Sequence, residues 1–116
     1  MNSVNLIGNL ATDVDLREYG DEKRRATFRI AVNRPSKEDE ADFFRVTTWD
    51  RQAELCAEHL TKGRKVGVEG WLRQHTWEED GEKRSLIEVV ARRIEFLGAK
   101  SSDSGGAVVP FEAAVA

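Results

Sequence analysis

The 116-residue chain lacks most features that mark secreted, membrane or disulfide-bonded proteins. It contains one cysteine, Cys56, so no disulfide can form within the chain, and this favours a reducing, cytoplasmic environment. Its apolar runs are at most four residues long, which excludes a membrane-spanning helix. Residues 1–5 contain neither a basic segment nor an apolar core, so no secretory signal is expected.

Motifs for catalysis and metal binding are also missing. The two histidines, His59 and His75, are not spaced as metal ligands, and there is no Cys-x-x-Cys motif. A glycine-rich phosphate-binding loop is absent, and no member of the 21 acidic residues is singled out as a catalytic carboxylate. We therefore expect no metal, no cofactor and no enzymatic activity.

The charge balance gives no overall basic surface. The chain has 18 Lys and Arg against 21 Asp and Glu, a net charge of -3, so anion binding depends on where the charges lie. Residues 101–116 contain no basic residue, and residues 101–106 are typical of a flexible linker. We expect one domain over residues 1–100 and a flexible tail over residues 101–116.

Alternation of apolar and polar residues predicts five strands, within residues 4–10, 26–33, 43–49, 65–77 and 85–97. The Asp80-Gly81 pair favours a two-residue hairpin turn between the last two strands, because glycine accepts a positive φ.

One helix is predicted between the third and fourth strands. Its apolar residues repeat at helical spacing, at Ala53, Cys56, Ala57 and Leu60. Asp50 is the expected N-cap, and Gly63 the expected C-terminal stop. Five strands with this helix are the order of an OB-fold barrel, an all-β fold. A generic α+β sheet domain is the alternative that pattern alone leaves open.

The third and fourth predicted strands combine aromatic and basic side chains on one face. Alternation places together Phe43, Arg45, Thr47 and Trp49 on one strand, and Trp71, Arg73, His75 and Trp77 on the next. A core does not favour arginines, and a solvated face does not favour exposed rings. A groove in which bases stack on rings while cations neutralise phosphates accommodates both.

Each of these residues also has an interpretation without a ligand. Trp49, just before the helix, can equally be a lid on the core. Phe43 exchanges roles with Phe44 if the register slips by one residue. Trp71 is better explained by packing or a subunit contact, whereas the exposed position of Trp77 beside the hairpin favours stacking.

The basic residues allow the same alternative, because any one of them can be an ordinary solvated side chain. These residues are Arg34, Arg45, Arg51, Lys62, Lys65, Arg73 and Arg84. The runs at residues 23–25 and 92–93 have acidic neighbours and are interpreted as surface charge. The set that shares a face with the aromatic residues is the one that favours a ligand.

Over residues 1–98 the chain resembles the bacterial single-stranded DNA-binding protein family. The resemblance is carried by segments along the whole domain, among them Asn5-Leu6-Ile7-Gly8-Asn9-Leu10, Ala26-Thr27-Phe28-Arg29-Ile30-Ala31-Val32-Asn33-Arg34-Pro35, Phe43-Phe44-Arg45-Val46-Thr47-Thr48-Trp49, and Val66-Gly67-Val68-Glu69-Gly70-Trp71-Leu72-Arg73. It implies an OB-fold homotetramer that wraps single-stranded DNA without sequence preference in replication, repair and recombination, in the bacterial cytoplasm and associated with the nucleoid.

The resemblance also assigns site residues. The family's stacking aromatics correspond to Phe43, Trp49 and Trp77, and its basic contacts to Arg45, Arg51, Lys62 and Arg73. With Trp71 and Arg34, the candidate DNA-binding residues are Phe43, Trp49, Trp77, Arg45, Arg51, Lys62, Arg73, Trp71 and Arg34.

The chain departs from the family at three places. Ser36 replaces a further stacking aromatic, in a predicted loop over residues 36–42 that is short and acidic. His75 and Thr76 stand where some members have basic residues. The family's acidic end in Pro-Phe is missing, because five residues follow Phe111, so the tail is not expected to recruit DNA-metabolism proteins.

Two other functions stay open. An RNA-binding OB module is one, since stacking rings accept either nucleic acid. An interaction scaffold that no longer binds nucleic acid is the other, and the intact aromatic and basic faces argue against it.

Overall fold

A computed structural model describes residues 1–21 and 23–98 of the chain, apart from the side chain of Glu38. These residues form six strands and one helix, in the order β1 (Val4–Leu10), β2 (Asp15–Tyr19), β3 (Lys23–Arg34), β4 (Lys37–Trp49), α1 (Asp50–His59), β5 (Lys65–Glu79) and β6 (Glu82–Leu97). The end of the expected domain at residue 100 and the expected tail over residues 101–116 lie outside the described residues.

Five of the strands close into a barrel. β1 pairs with β5, β5 with β6, β6 with β4, and β4 with β3. β3 returns to β1 through the pairs Asn9↔Ala31 and Leu10↔Ile30. β4 and β6 run parallel, and the other pairs run antiparallel. This ring, with α1 between β4 and β5, confirms the predicted OB-fold and excludes the generic α+β sheet.

β2 lies outside the ring and was not among the predicted strands. It pairs with the first half of β3, from Asp15↔Thr27 to Tyr19↔Lys23. All five of its residues are exposed, so it shows no alternation of buried and exposed positions. Cross-strand pairing, and not an apolar pattern, makes this segment a strand.

The prediction of a loop over residues 36–42 is wrong, because most of this segment belongs to β4. Pro35 and Ser36 form the turn, and β4 begins at Lys37. Pairing continues through Asn33↔Ala41 and Val32↔Asp42, with a register shift between Asn33 and Arg34. The alternation predicted strands that end at residue 33 and begin again at residue 43, whereas the hairpin pairing with β3 extends β4 back to Lys37.

Both predicted ends of the helix differ in the structure. Trp49, with an extended backbone at φ -131°, occupies the N-cap position, and no side chain caps the helix. Asp50 is therefore the first helical residue. The helix ends at His59 with Leu60 as C-cap, and Gly63 lies beyond it in a turn. Gly63 has a φ of 97° and donates its N–H to the Leu10 carbonyl, so it serves the turn and not the helix end.

The core lies inside the barrel and under α1. Its buried side chains alternate along the strands, as at Phe28 and Ile30 on β3 and Val66 and Val68 on β5. Cys56 faces this core from α1, and burial raises the pKa of its thiol to about 12. The side chains between the buried positions face away from the core.

β5 and β6 extend past the barrel as a long hairpin, in which all residues from 71 to 85 are exposed. Asp80 and Gly81, with φ of 56° and 82°, form the predicted two-residue turn. Where the hairpin leaves the barrel, β5 shifts register between Glu69 and Gly70. A Cβ at Gly70 would lie 1.9 Å from the Val90 carbonyl oxygen, so this close approach requires glycine.

Candidate nucleic-acid interface

A row of charged side chains crosses four strands on the outer face of the barrel. Residues directly opposite each other in paired strands share a face. Arg29 on β3 lies opposite Arg45 on β4, Arg45 lies opposite Glu88 on β6, and Glu88 lies opposite Arg73 on β5. The sheet register therefore places three arginines and one glutamate in a single row, with Glu88 between Arg45 and Arg73.

A depression of about 350 Å³ surrounds this row, and we call it the groove. It is lined by Arg25, Arg45, Thr47, Trp49, Arg73, Gln74, His75 and Glu88. Thr47 and Glu88 are buried within it. The structure thus brings together three of the predicted site residues, Arg45, Trp49 and Arg73.

The other predicted aromatic residues lie along the same two strands. Phe43 shares the face of Arg45, and Trp71 and Trp77 share that of Arg73. Together with Trp49, these rings are between 36% and 55% exposed. Phe44 packs against the core, so the register that exposes Phe43 is the observed one. Large rings are thus available to a ligand at four positions.

Trp77 lies on the hairpin beyond the groove. Its ring stacks on His75, with centroids 5.4 Å apart, and Arg84 lies opposite it on β6. Since His75 also lines the groove, the ring of Trp77 continues the groove outward along β5.

Glu88 links the arginines of the groove. Its Oε2 accepts a hydrogen bond of 2.6 Å from Arg73, and its Oε1 accepts one of 2.9 Å from the Thr47 hydroxyl. The Nε of Arg45 lies 3.4 Å from Oε1. Burial alone would raise the pKa of Glu88, but the hydrogen bonds from Arg73 and Thr47 and the charges of both arginines lower it overall. Glu88 is thus ionised at neutral pH and shared by two cations.

Two arginines of the groove keep an unused hydrogen-bond donor. The Nε atoms of Arg25 and Arg45 are buried and donate no hydrogen bond to another part of the chain that the structure describes. The contact of Arg45 with Glu88 brings the charges close without completing a hydrogen bond. Buried donors ordinarily have acceptors, so neither guanidinium is fully paired, and the exposed part of each suits an anionic ligand.

Arg25 corrects the interpretation of residues 23–25 as surface charge. Arg24 fits it, because it contacts Glu54 at 2.8 Å and Glu18 at 3.4 Å. Arg25 points to the other face of β3, and its guanidinium lies 5.8 Å from the centroid of the Trp49 ring. Neighbouring residues of a strand face opposite sides, and this separates the two arginines.

Three predicted basic residues do not line the groove. Arg34 contacts Asp42 at 2.9 Å and Glu40 at 3.1 Å, and the hydrogen bond that it donates to Asp42 raises the pKa of Arg34. Arg51, in the first turn of α1, is exposed and lies 3.3 Å from Glu54. Lys62 lies in the turn after α1.

Sequence reasoning missed four residues at or beside the groove: Tyr19, Arg25, Arg29 and Glu88. The alternation of Arg25 and Arg29 with Phe28 and Ile30 could have placed both arginines on the outer face. Tyr19 gave no signal because β2 has no apolar pattern. Glu88 gave none because its burial depends on arginines from two distant strands.

The described part of the chain offers neither a metal site nor a membrane span. Residues 1–21 and 23–98 contain no group of three His, Cys, Asp or Glu side chains able to hold a metal ion. Within the same residues, no helix is long and apolar enough to cross a membrane.

Comparison with known proteins gives consistent matches. A model of the single-strand binding protein family matches residues 1–97. A single-stranded DNA-binding protein of Treponema pallidum is 37% identical over 103 residues, which cover 84% of this chain and 58% of that protein. Single-stranded DNA-binding protein 3 of Listeria innocua is 40% identical, with 91% and 69% covered. Single-stranded DNA-binding protein 1 of a Nostoc species is 33% identical, with 91% of both chains covered.

Proposed function

The chain belongs to the single-strand binding protein family, and on this premise we propose that it binds single-stranded DNA without sequence preference. The names of the relatives support DNA as the ligand. The chain spans 58% of the length of the Treponema protein, so what that whole protein does is carried over only as part of this proposal.

One observation carries the proposal: exposed rings and arginines share the outer face of β4 and β5. Every base has a flat aromatic face, so stacking on Phe43, Trp49 and Trp77 is indifferent to sequence and contributes about 1–3 kcal/mol per base. Arg45 and Arg73 lie between these rings, where phosphates of the same strand would pass. Duplex DNA does not fit this arrangement, because its bases are already stacked on each other.

We assign roles in the same way. Phe43, Trp49 and Trp77 stack bases, and Arg45 and Arg73 contact phosphates. Arg51, Lys62 and Arg34 contact the strand outside the groove, where the DNA wraps around the protein. Trp71, opposite Val90 beside the groove, serves packing or a subunit contact.

The biological setting follows from the family. We propose a non-enzymatic protein that protects single-stranded DNA during replication, repair and recombination in the bacterial cytoplasm, close to the nucleoid. The relatives are named as DNA-binding proteins, which supports this class of function.

We further propose a homotetramer, and β1 supplies the supporting observation. Residues 4–8 of β1 pair with β5, and within the described residues their other edge pairs with no strand. Ile7 is 58% exposed on this strand. An uncharged open edge can pair with its own copy across a two-fold axis. Light scattering should give about four times the 13.1 kDa protomer mass, and a monomer would reject this.

A titration with oligo-dT of increasing length, followed by tryptophan fluorescence, tests the proposed function. Trp49 and Trp77 lie where bases would stack, so binding should quench their emission. Duplex DNA of equal length should bind much more weakly. An RNA oligomer that binds more tightly than the matched DNA would overturn the choice of DNA.

A further inference from the structure

A further aromatic ring lies beside the groove, on the strand outside the barrel. Tyr19 ends β2, and its side chain is 41% exposed. The guanidinium carbon of Arg25 lies 5.0 Å from the centroid of the Tyr19 ring and 5.8 Å from that of Trp49. Arg25 therefore contacts one ring of the groove and one ring outside it.

The sheet register makes this arrangement continuous. Trp49 on β4 lies opposite Arg25 on β3, and Arg25 lies opposite Arg17 on β2. Tyr19 follows Arg17 on the same face of β2, opposite Lys23. Side chains of three neighbouring strands thus extend the outer face from Trp49 to Tyr19.

The charges on this extension favour an anion. Arg25 forms no ion pair with another described residue, and its buried Nε has no acceptor among those residues. Arg17 lies 3.4 Å from Asp15, whereas Glu18 is on the opposite face with Arg24. Among the described residues, the cations Arg17, Lys23 and Arg25 therefore share this face with the carboxylate of Asp15.

We propose that Tyr19 and Arg25 form a further nucleotide subsite, in which a base stacks on the Tyr19 ring and Arg25 contacts the adjoining phosphate. The subsite rests on the proposed function and extends it, because a strand leaving Trp49 continues across β3 onto β2. Beyond Phe43, the route toward the turn at Ser36 offers no further ring among the described residues and leads to Asp42 and Glu40. The route over Arg25 offers both a ring and an unused donor.

The subsite can be tested by comparing the affinities of three proteins for oligo-dT: wild type, Tyr19→Ser and Tyr19→Phe. The oligomers cover a series of lengths, all short enough to bind one protomer. Tyr19→Ser should bind the longer oligomers about 5- to 150-fold more weakly, which is the value of one lost stacking contact. It should bind the shortest oligomers as wild type does, because those fill the groove alone. Tyr19→Phe keeps the ring and should match wild type. Glu18→Ser, on the opposite face of β2, is the control for changes in this strand.

Photo-cross-linking detects the contact between a base and Tyr19 directly. Oligo-dT carrying 5-iodouracil is bound to wild type and irradiated, and the cross-linked peptides are identified by mass spectrometry. An adduct on Tyr19 supports the subsite. Equal affinities of Tyr19→Ser and wild type at every length, with adducts on Trp49 or Trp77 and none on Tyr19, would overturn it. Failure of wild type to bind any oligomer would instead reject the proposed function itself, and the subsite with it.

Discussion

Two regions along β4 surround their arginines with different charges. Arg34 lies at the β3–β4 hairpin, beside the start of β4, and Arg45 lies farther along β4, in the groove. Two carboxylates, Asp42 and Glu40, contact Arg34. In the groove the ratio is reversed, because Arg45 and Arg73 share the single carboxylate of Glu88. The hairpin end of β4 is therefore neutralised by its own acids, whereas the other end retains positive charge.

This difference shows why the net charge of -3 does not decide what the chain binds. Salt screens exposed charges over about 10 Å, so a phosphate responds to the local ratio of acids to bases. Each half of β4 presents a different ratio to a DNA strand. Substitutions at the rings and at the charged residues of β4 show whether that ratio, together with the rings, locates the site.

The largest expected effect is on the rings of the groove half. Trp49→Ala and Trp77→Ala should each weaken binding of single-stranded DNA by about 1–3 kcal/mol, because each removes one stacking contact. Affinities can be measured by anisotropy with labelled oligo-dT. Ile87→Ala, which truncates an exposed side chain on the other face of the hairpin, is the control. A folded double Trp variant with wild-type affinity would eliminate the stacking model.

The next effect concerns the carboxylate shared in the groove. Glu88→Gln should reduce the free energy of unfolding at pH 7 by about 1.5 kcal/mol, the lower end for hydrogen bonds to charged groups, since both arginines are partly exposed and can rehydrate. The pKa of Glu88 is lower in the folded protein, so its stabilisation is present above the ordinary value of 4.5 and is lost as the pH falls through the lowered pKa.

Chemical denaturation at several pH values measures this. The difference between wild type and Glu88→Gln should shrink on acidification. Glu79→Gln, which removes an exposed contact of 3.4 Å with Arg84, should change stability little at any pH. A difference between Glu88→Gln and wild type that is independent of pH would show that the charge of Glu88 does not stabilise the groove.

The sequence predicts those features of the fold and the groove that depend on residues close together in the chain. Alternation identifies the barrel strands and places Arg45 with Trp49, because burial repeats every second residue. The turn at Asp80 and Gly81 is also local. β2 and the hairpin end of β4 are held by cross-strand pairing, which their own residues do not reveal. The role of Glu88 is equally non-local, because it depends on arginines from β4 and β5.

A smaller effect is expected on the salt dependence of binding, and it should differ between Arg45 and Arg34. Arg45→Gln should reduce the slope of log affinity against log salt by about 0.7, the value for one phosphate contact on a single strand. Arg34→Gln should reduce it less, because Asp42 and Glu40 already neutralise Arg34. Titrations at several salt concentrations measure both slopes. Equal reductions in the two variants would remove the distinction between the two ends of β4.

The difference between the two ends of β4 can also be tested by removing the carboxylates at the hairpin end. The double variant Glu40→Gln with Asp42→Asn leaves Arg34 without its two carboxylates. We expect it to bind single-stranded DNA more tightly than wild type and with a steeper salt dependence, by up to about 0.7 in slope. Adding Arg34→Gln to this variant should cancel the gain. If it does not, the gain comes from the lost acids or from Lys37, which Glu40 also contacts, and Arg34 does not contact DNA.

The smallest effect is expected from residues 101–116, which contain neither a cation nor a tryptophan. All 18 basic residues precede them, and the segment contributes two acidic side chains, Asp103 and Glu112. Stacking and phosphate contacts therefore both depend on residues 1–100. Deletion of residues 101–116 should leave the affinity for oligo-dT and its salt dependence nearly unchanged. A synthetic 101–116 peptide should also bind DNA-metabolism proteins poorly in calorimetry, since its two carboxylates, Asp103 and Glu112, offer little charge to a basic pocket. Micromolar binding of that peptide to a helicase or clamp-loader protein would contradict this, and would assign recruitment to a segment that takes no part in holding the DNA.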